Sequence, residues 1–189
     1  HFRLDFEENL RQQRDAFEQM SRTDDLTRLA NRRVFVAELE RARTEAMALR
    51  TPLSLLVVDL DHFKQINDQF GHAVGDRCLV GFSEQLRHVF AGQGELPARL
   101  GGEEFAVLLP AHREAQAAIR AEAFRAGLAA VAIVPELPEL RIRASIGVAE
   151  FAPDRHATSD AFLIEADRAL YRAKNDGRDC VRAASASRT

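Results

Sequence analysis

Arg99 Leu100 Gly101 Gly102 Glu103 Glu104 Phe105 Ala106 Val107 Leu108 Leu109 sets two glycines and two adjacent carboxylates against an apolar run. The glycines permit a tight turn that residues bearing a Cβ resist, and the run after them reads as a buried strand. Glu103 and Glu104 are therefore expected at the lip of a sheet. Two neighbouring acids at a strand start repel, which is tolerable when a divalent cation or a proton sits between them. Upstream, Leu53 Ser54 Leu55 Leu56 Val57 Val58 Asp59 Leu60 Asp61 His62 Phe63 Lys64 is a nearly unbroken apolar run ending in Asp-Leu-Asp, as suits a central strand covered on both faces. If the two strands are neighbours, Asp59 and Glu103 or Glu104 converge at one sheet edge, a site of oxygen ligands suited to Mg²⁺.

Working outward, Asn31 is placed to cap a helix whose apolar residues Val34, Phe35, Leu39, Ala42 and Ala46 follow helical spacing up to the turn at Thr51 and Pro52. After the Leu53 to Asp59 strand, a second helix is expected to open near Asp76 and to bury Leu79, Phe82, Leu86 and Phe90. Gly92, Gln93 and Gly94 then lead into the hairpin. A third helix runs from Arg113 to about Ala130, and the prolines at 135 and 138 enforce a loop. Leu140, Ile142, Ala144, Ile146 and Val148 alternate with Arg141, Arg143 and Ser145, the period-two pattern of a strand with one wetter face. Phe162, Leu163, Ala166, Ala169, Leu170 and Ala173 define a last helix that Gly177 can terminate. This order, βαββαβ with an antiparallel hairpin in the middle, predicts an α+β sheet with helices on one face.

The chain of 189 residues, 46% hydrophobic, suits one domain plus an appendage. No apolar stretch is long enough to span a bilayer and no signal-peptide pattern opens the chain. The initial His1 suggests an excised piece. Cys78 and Cys180 lack metal-like spacing, as expected of a reduced cytosolic setting. A net charge of −3 without a basic, aromatic-interleaved stripe argues against a nucleic-acid surface. In residues 2 to 22, Phe6, Leu10, Phe17 and Met20 form an apolar seam, with Arg3 and Gln13 also in seam positions. That pattern fits a helix packed on its own domain as well as a dimer stalk.

The stretch Asp59 to Gly75, DLDHFKQINDQFGHAVG, together with Gly101 to Phe105, GGEEF, resembles the GGDEF family of bacterial diguanylate cyclases. DDLTRLANRR from Asp24, ASIGVA from Ala144 and ADRALYRAKNDGR from Ala166 match further family stretches in order, so the resemblance covers roughly residues 22 to 180. It implies a core akin to nucleotidyl cyclases and polymerase palms spanning 23–182, an N-terminal signalling helix over 1–22 that serves as the stalk, and a flexible tail over 183–189. It also implies a cytoplasmic output domain for a second messenger, fed by an upstream sensor.

By resemblance, Asp59 and Glu103 ligate two Mg²⁺ ions, for which Mn²⁺ can substitute. The Leu60 carbonyl completes a shell, and Glu104 either shares a metal or accepts the ribose 3′-hydroxyl proton. Read singly, Asp59 and Asp61 would be a strand end or a helix cap. The paired motif overturns this for Asp59, while Asp61 is kept out of the first rank because it could cap the helical turn at His62. Guanine recognition needs a carboxylate acceptor and an amide donor, chemistry that Asn67 and Asp76 can supply. The resemblance assigns them that role, over those of a turn residue and a helix cap. Lys64 and the backbone amides around His62 and Phe63 are implied to cradle the β- and γ-phosphates. Lys174 and Arg178, which flank Gly177, are implied to touch the triphosphate as well as to complement the helix dipole. His72 falls beside the guanine pocket by motif position, although a structural histidine is the plainer expectation. Since each domain offers one GTP site and cyclic di-GMP needs two phosphodiester bonds, the resemblance implies an active homodimer.

The chain departs from the family where many relatives carry an Arg-x-x-Asp product-binding motif. Gly92 and Glu95 stand at its ends, so feedback inhibition at that site is expected to be weak or absent. Arg99 is the nearby cation through which product could bind in another way. Arg28 replaces a common glycine and Leu100 a usual aromatic. Intact Asp59, Glu103 and Glu104 favour an active cyclase over a non-catalytic receptor for GTP or cyclic di-GMP. Intact Asn67 and Asp76 argue against an adenylate or hybrid cyclase.

Overall fold

The apolar run forms β1 (Leu53–Leu60), the middle strand of a five-stranded sheet in the order β2-β3-β1-β4-β5. The computed structural model describes residues 2–187. The hairpin partners are β2 (Leu96–Gly101) and β3 (Glu104–Pro110), followed by β4 (Ala144–Glu150) and β5 (Val181–Ala183). β1 pairs antiparallel with β3 on one side and β4 on the other, while β4 and β5 run parallel. The tight turn falls where the paired glycines placed it, with φ of 145° at Gly101 and 52° at Gly102. Among the described residues six α-helices accompany the sheet: α1 (Phe2–Met20), α2 (Arg32–Leu49), α3 (Phe63–Phe70), α4 (His72–Val89), α5 (Glu114–Gly127) and α6 (Ser159–Asn175).

The βαββαβ order is as expected, but the helices cover both faces rather than one. Leu56, Val58 and Leu60 of β1 join Phe82 and Leu86 of α4 and Phe124 of α5 in one core. Leu55 and Val57 join Phe35 and Leu39 of α2 and Phe162 and Leu170 of α6 in the other. The unbroken apolar composition of β1 demands this, because alternate side chains point to opposite faces and neither set tolerates water. On the second face α6 approaches β4 closely at Gly147, where a Cβ would lie 2.2 Å from the Ala166 carbonyl oxygen. That contact seats the C-terminal end of α6 over the sheet edge.

β4 corrects a second expectation. It begins at Ala144 and is buried through Ala149, so it has no wet face. The alternating arginines lie ahead of the strand, where Arg141 donates to the Ala129 carbonyl (3.0 Å) and Arg143 to Asp179 (3.1 Å). α4 opens at His72, earlier than Asp76, so Asp76 stands inside the helix rather than at its cap. β5 extends the sheet beyond residue 182, Ala184 is buried, and the Ser185 amide bonds Glu114. The expected tail is therefore folded here, and residues 188 and 189 lie outside the described residues. Along α1, residues 5–17 are all exposed, including Phe6 (64%), Leu10 (50%) and Phe17 (76%), so this stretch does not pack on the domain. The side chains of Arg3 and Met20 lie outside the described ones.

Asn31 caps α2 as expected, accepting from the Val34 amide at 3.0 Å. Arg28, in place of the family's glycine, adopts a left-handed φ of 62°. Across the opposite end of the sheet, Arg120 of α5 grips the Glu95 carboxylate through both oxygens and lies 5.0 Å from the Phe90 ring centroid. Burial pushes the Glu95 carboxyl up, but the Arg120 hydrogen bonds and the Gly92 amide outweigh it and hold it below the usual carboxylate value. Arg120→Ala leaves a carboxylate that is only 5% exposed without its cation, and is expected to cost about 2–4 kcal/mol in urea unfolding. Because the folded pKa is depressed, that stabilisation is full above pH ~4.5 and fades as pH falls through the lowered value. The difference between wild type and variant should narrow accordingly.

Candidate active site

The register of β1 and β3 places Asp59 opposite Glu104, and the Leu60 amide donates to the Glu103 carbonyl at 3.2 Å. The two acidic motifs, more than 40 residues apart, thus meet at one sheet edge. Lys174, in the last turn of α6, places Nζ 2.8 Å from Asp59 Oδ2. A cavity of about 170 Å³ is lined by Asp59, Leu60, His62, Lys64, Glu103, Lys174 and Arg178, among others. Glu104 lines a separate cavity of about 300 Å³ with Arg32, Leu163 and Asp167. The adjacent glutamates are therefore divided between two hollows, a distinction that residue type alone does not carry.

Burial pushes the Asp59 carboxyl above its ordinary value, helped by the charges of Glu103 and Asp61 and opposed by Lys174. Glu104 is raised as well, first by burial and then by Asp167 and Asp59, against the weaker pull of Arg32 and Lys174. Among the described residues no three His, Cys, Asp or Glu side chains cluster as a ready-made metal site. The donor chemistry still fits a hard divalent cation. Half-buried carboxylates that repel one another, beside the Leu60 backbone, are oxygen ligands whose negative charge is only partly met by Lys174.

The predicted guanine readers sit on adjacent helices, Asn67 on α3 and Asp76 on α4. Gly75 brings these helices together, since a Cβ there would lie 1.8 Å from Asn67 Oδ1. The Asn67 amide is thereby held against the backbone next to Asp76, which is itself exposed. Between β1 and α3, His62 adopts a left-handed φ of 54° and its carbonyl accepts from Gln65 and Ile66. The amides of Phe63 and Lys64 fall in the first turn of α3, where no intrahelical carbonyl is available to them. Phe63 is buried while His62 and Lys64 are exposed. His72 is exposed in the first turn of α4, where the expected structural role would require burial.

Three polar residues bear on the site that sequence reasoning did not assign to it. Arg99 donates twice to the Gly102 carbonyl (3.0 and 2.8 Å) and twice to Asp24 (3.3 and 3.1 Å), bracing the hairpin turn. Asp24 also accepts from the Thr27 amide and hydroxyl, both at 2.8 Å. The Arg99 guanidinium, earlier a candidate for product binding, is thus committed to the turn. Asp61, only 6% exposed, does not cap the helical turn at His62, because its two carboxylate oxygens accept from the Ser145 hydroxyl and the Asp179 amide. At the ends of the missing product motif, Gly92 donates to the Glu95 carboxylate at 3.1 Å, and Arg120 holds the same group.

The family model described as diguanylate cyclase, GGDEF domain, matches residues 21–180. Diguanylate cyclase DgcM of Escherichia coli strain K12 is 40% identical over 170 residues, which is 90% of this chain and 40% of that protein. The chain therefore spans less than half the length of this curated relative. The GGDEF domain of DgcB from Caulobacter crescentus, solved in complex with c-di-GMP, aligns with a TM-score of 0.79 at 36% identity, covering 86% of this chain and 93% of that one. The active GGEEF domain of a diguanylate cyclase from Vibrio cholerae aligns with a TM-score of 0.76 at 33% identity, covering 82% and 97%. With the acidic motifs paired across β1 and β3 and the match running through nearly the whole folded region, the chain belongs to the GGDEF family of diguanylate cyclase domains.

Proposed function

We propose that this domain condenses two GTP into cyclic di-GMP and two pyrophosphates, each 3′-hydroxyl attacking the α-phosphate of the other nucleotide. The observation that carries this reading is the meeting of Asp59 and the Glu103–Glu104 pair at a sheet edge together with the cations Lys64, Lys174 and Arg178. Mg²⁺, or Mn²⁺ in its place, held by Asp59, Glu103 and the Leu60 carbonyl, would supply charge neutralisation and acidify the attacking hydroxyl. Lys64, Lys174 and Arg178 take the triphosphate charge, with the amides around His62 and Phe63 as neutral donors. Asp76 accepts from the guanine N–H groups while the Asn67 amide donates to its carbonyl oxygen.

Glu104 is the residue that takes the 3′-hydroxyl proton. Its carboxyl is held above its ordinary value by burial, Asp167 and Asp59, and it opens into the second hollow, away from the hollow that Lys64, Lys174 and Arg178 line. A second domain must present its nucleotide there, so the working form is a homodimer. The exposed Phe6, Leu10 and Phe17 of α1 offer a seam by which two stalks could align the domains. In the longer protein, an upstream sensor would act through this alignment from the cytosolic side. Among the described residues no helix is long and apolar enough to cross a membrane.

Incubating the purified chain at high concentration with GTP and Mg²⁺, and separating products by chromatography, tests the reading. Cyclic di-GMP is expected from wild type and not from Asp59→Ala. A wild type that binds GTP without turnover would point to a receptor instead. In the same assay added cyclic di-GMP should inhibit only weakly, because Gly92 lacks the guanidinium fork and Glu95 is occupied by Arg120.

A further inference from the structure

α6 ends in an unusual turn: Gly177, Arg178 and Asp179 all have positive φ, at 106°, 64° and 44°. Two successive non-glycine residues in the left-handed region are held there only if surrounding contacts over-determine them. The contacts converge on Asp61. Its Oδ2 accepts from the Asp179 amide at 2.9 Å, and its Oδ1 from the Ser145 hydroxyl at 2.7 Å. Its own amide donates to the Arg143 carbonyl at 2.9 Å. Asp61 is 6% exposed and Ser145 fully buried, so both carboxylate oxygens are committed inside the fold. The Asp179 side chain is gripped in turn by Arg125 of α5 (2.6 Å) and by Arg143 (3.1 Å). One residue before this anchor stands Arg178, exposed and lining the same hollow as Lys64 and Lys174.

We propose that Asp61 is a positioning residue of the site: its carboxylate clasps the Asp179 amide and so holds Arg178 over the triphosphate position. The inference rests on the reading of this hollow as the phosphate site. It separates the two aspartates of the Asp-Leu-Asp motif, Asp59 facing the nucleotide and Asp61 facing inward to the turn that delivers a cation. A buried carboxylate satisfied by a hydroxyl and an amide, and not by a cation of its own, is a demanding arrangement to keep. The strained turn it restrains accounts for it.

The experiment measures GTP affinity by titration calorimetry in the presence of Mg²⁺, for wild type, Asp61→Ala, Asp61→Asn, Arg178→Ala and the Asp61→Ala/Arg178→Ala double variant, with melting curves alongside. Asp61→Ala is expected to weaken GTP about tenfold, as loss of a charge-assisted hydrogen bond allows. Asp61→Asn should stay within about threefold of wild type, because its amide oxygen still accepts from Asp179 while its NH₂ donates to a turned Ser145 hydroxyl. Adding Arg178→Ala to Asp61→Ala should weaken binding by no more than about twofold further, since the clasp acts through that side chain. Should Asp61→Ala fail to fold, Arg125→Ala loosens the same turn, and its non-additivity with Arg178→Ala is read instead. Losses that multiply independently would overturn the proposal. So would an Asp61→Asn that binds as poorly as Asp61→Ala and needs far more Mg²⁺, which is the behaviour of a metal ligand. Wild type that binds no GTP would refute the phosphate reading itself, whereas tight binding unaffected by Arg178→Ala would refute the positioning role alone.

Discussion

Glu104→Gln is expected to reduce cyclic di-GMP formation by about a thousandfold or more and, in the same protein, to raise the melting temperature of the metal-free domain. The first effect follows from removing the proton acceptor while keeping the side chain's size, since positioned acid–base groups contribute roughly 10²–10⁴ in rate. The second follows from the sign of the Glu104 shift. Its folded pKa lies above its ordinary value because of burial and the charges of Asp167 and Asp59. The ionised form is therefore destabilising above that folded pKa, and the penalty is relieved as pH falls through it. A neutral isostere escapes the penalty at pH 7, worth about 1 kcal/mol and roughly 2–4 °C for a domain of this size. Melting curves at pH 7 and pH 5 should show the variant's advantage shrinking at the lower pH. A variant less stable than wild type at pH 7 would instead mark Glu104 as a structural residue and empty its lost turnover of mechanistic meaning.

Gly75→Ala should damage substrate recognition from a position that itself offers no group to substrate, by displacing Asn67. The new methyl would lie 1.8 Å from Asn67 Oδ1 and 3.4 Å from Phe63 Cζ. The helix interior gains about 1 kcal/mol of intrinsic propensity from the change, so α4 has no local reason to unwind. The amide must move instead. With Asn67 displaced, the guanine carbonyl loses its donor, and KM for GTP should rise about 10- to 100-fold with a smaller change in kcat. Discrimination against ATP should fall with it, as Asn67→Ala would also produce. Steady-state kinetics with both nucleotides read this directly. An unchanged KM for GTP in Gly75→Ala would remove Asn67 from guanine recognition.

Much of this molecule is decided by local pattern. The unbroken apolar run of β1, the paired glycines before β3, the Asn31 cap and the Pro135–Pro138 break each act within a few residues, and the structure places the corresponding elements as they predict. The convergence of Asp59 with Glu103 and Glu104 is nearly as legible, because a buried strand that ends in an acid and one that starts with acids bring them to one edge when they pair antiparallel. The two-sided covering of the sheet was implicit in β1, whose composition leaves no face for water, although element order alone suggested a single layer of helices.

The sequence by itself thus determined the elements, their order and the acidic edge. Only the tertiary structure decided which polar groups serve the site and which serve the frame. Asp61 turns inward to Ser145 and Asp179, Arg99 reaches back to Asp24, Glu95 is taken by Arg120, and the neighbouring Glu103 and Glu104 open into different hollows. These assignments depend on partners from 25 to 118 positions away, the nearest being Glu95 with Arg120 and the farthest Asp61 with Asp179. A carboxylate or guanidinium carries the same signature in sequence whether it faces substrate or scaffold. Its role is set by burial and by the donor or acceptor that the folded chain happens to bring within about 3 Å.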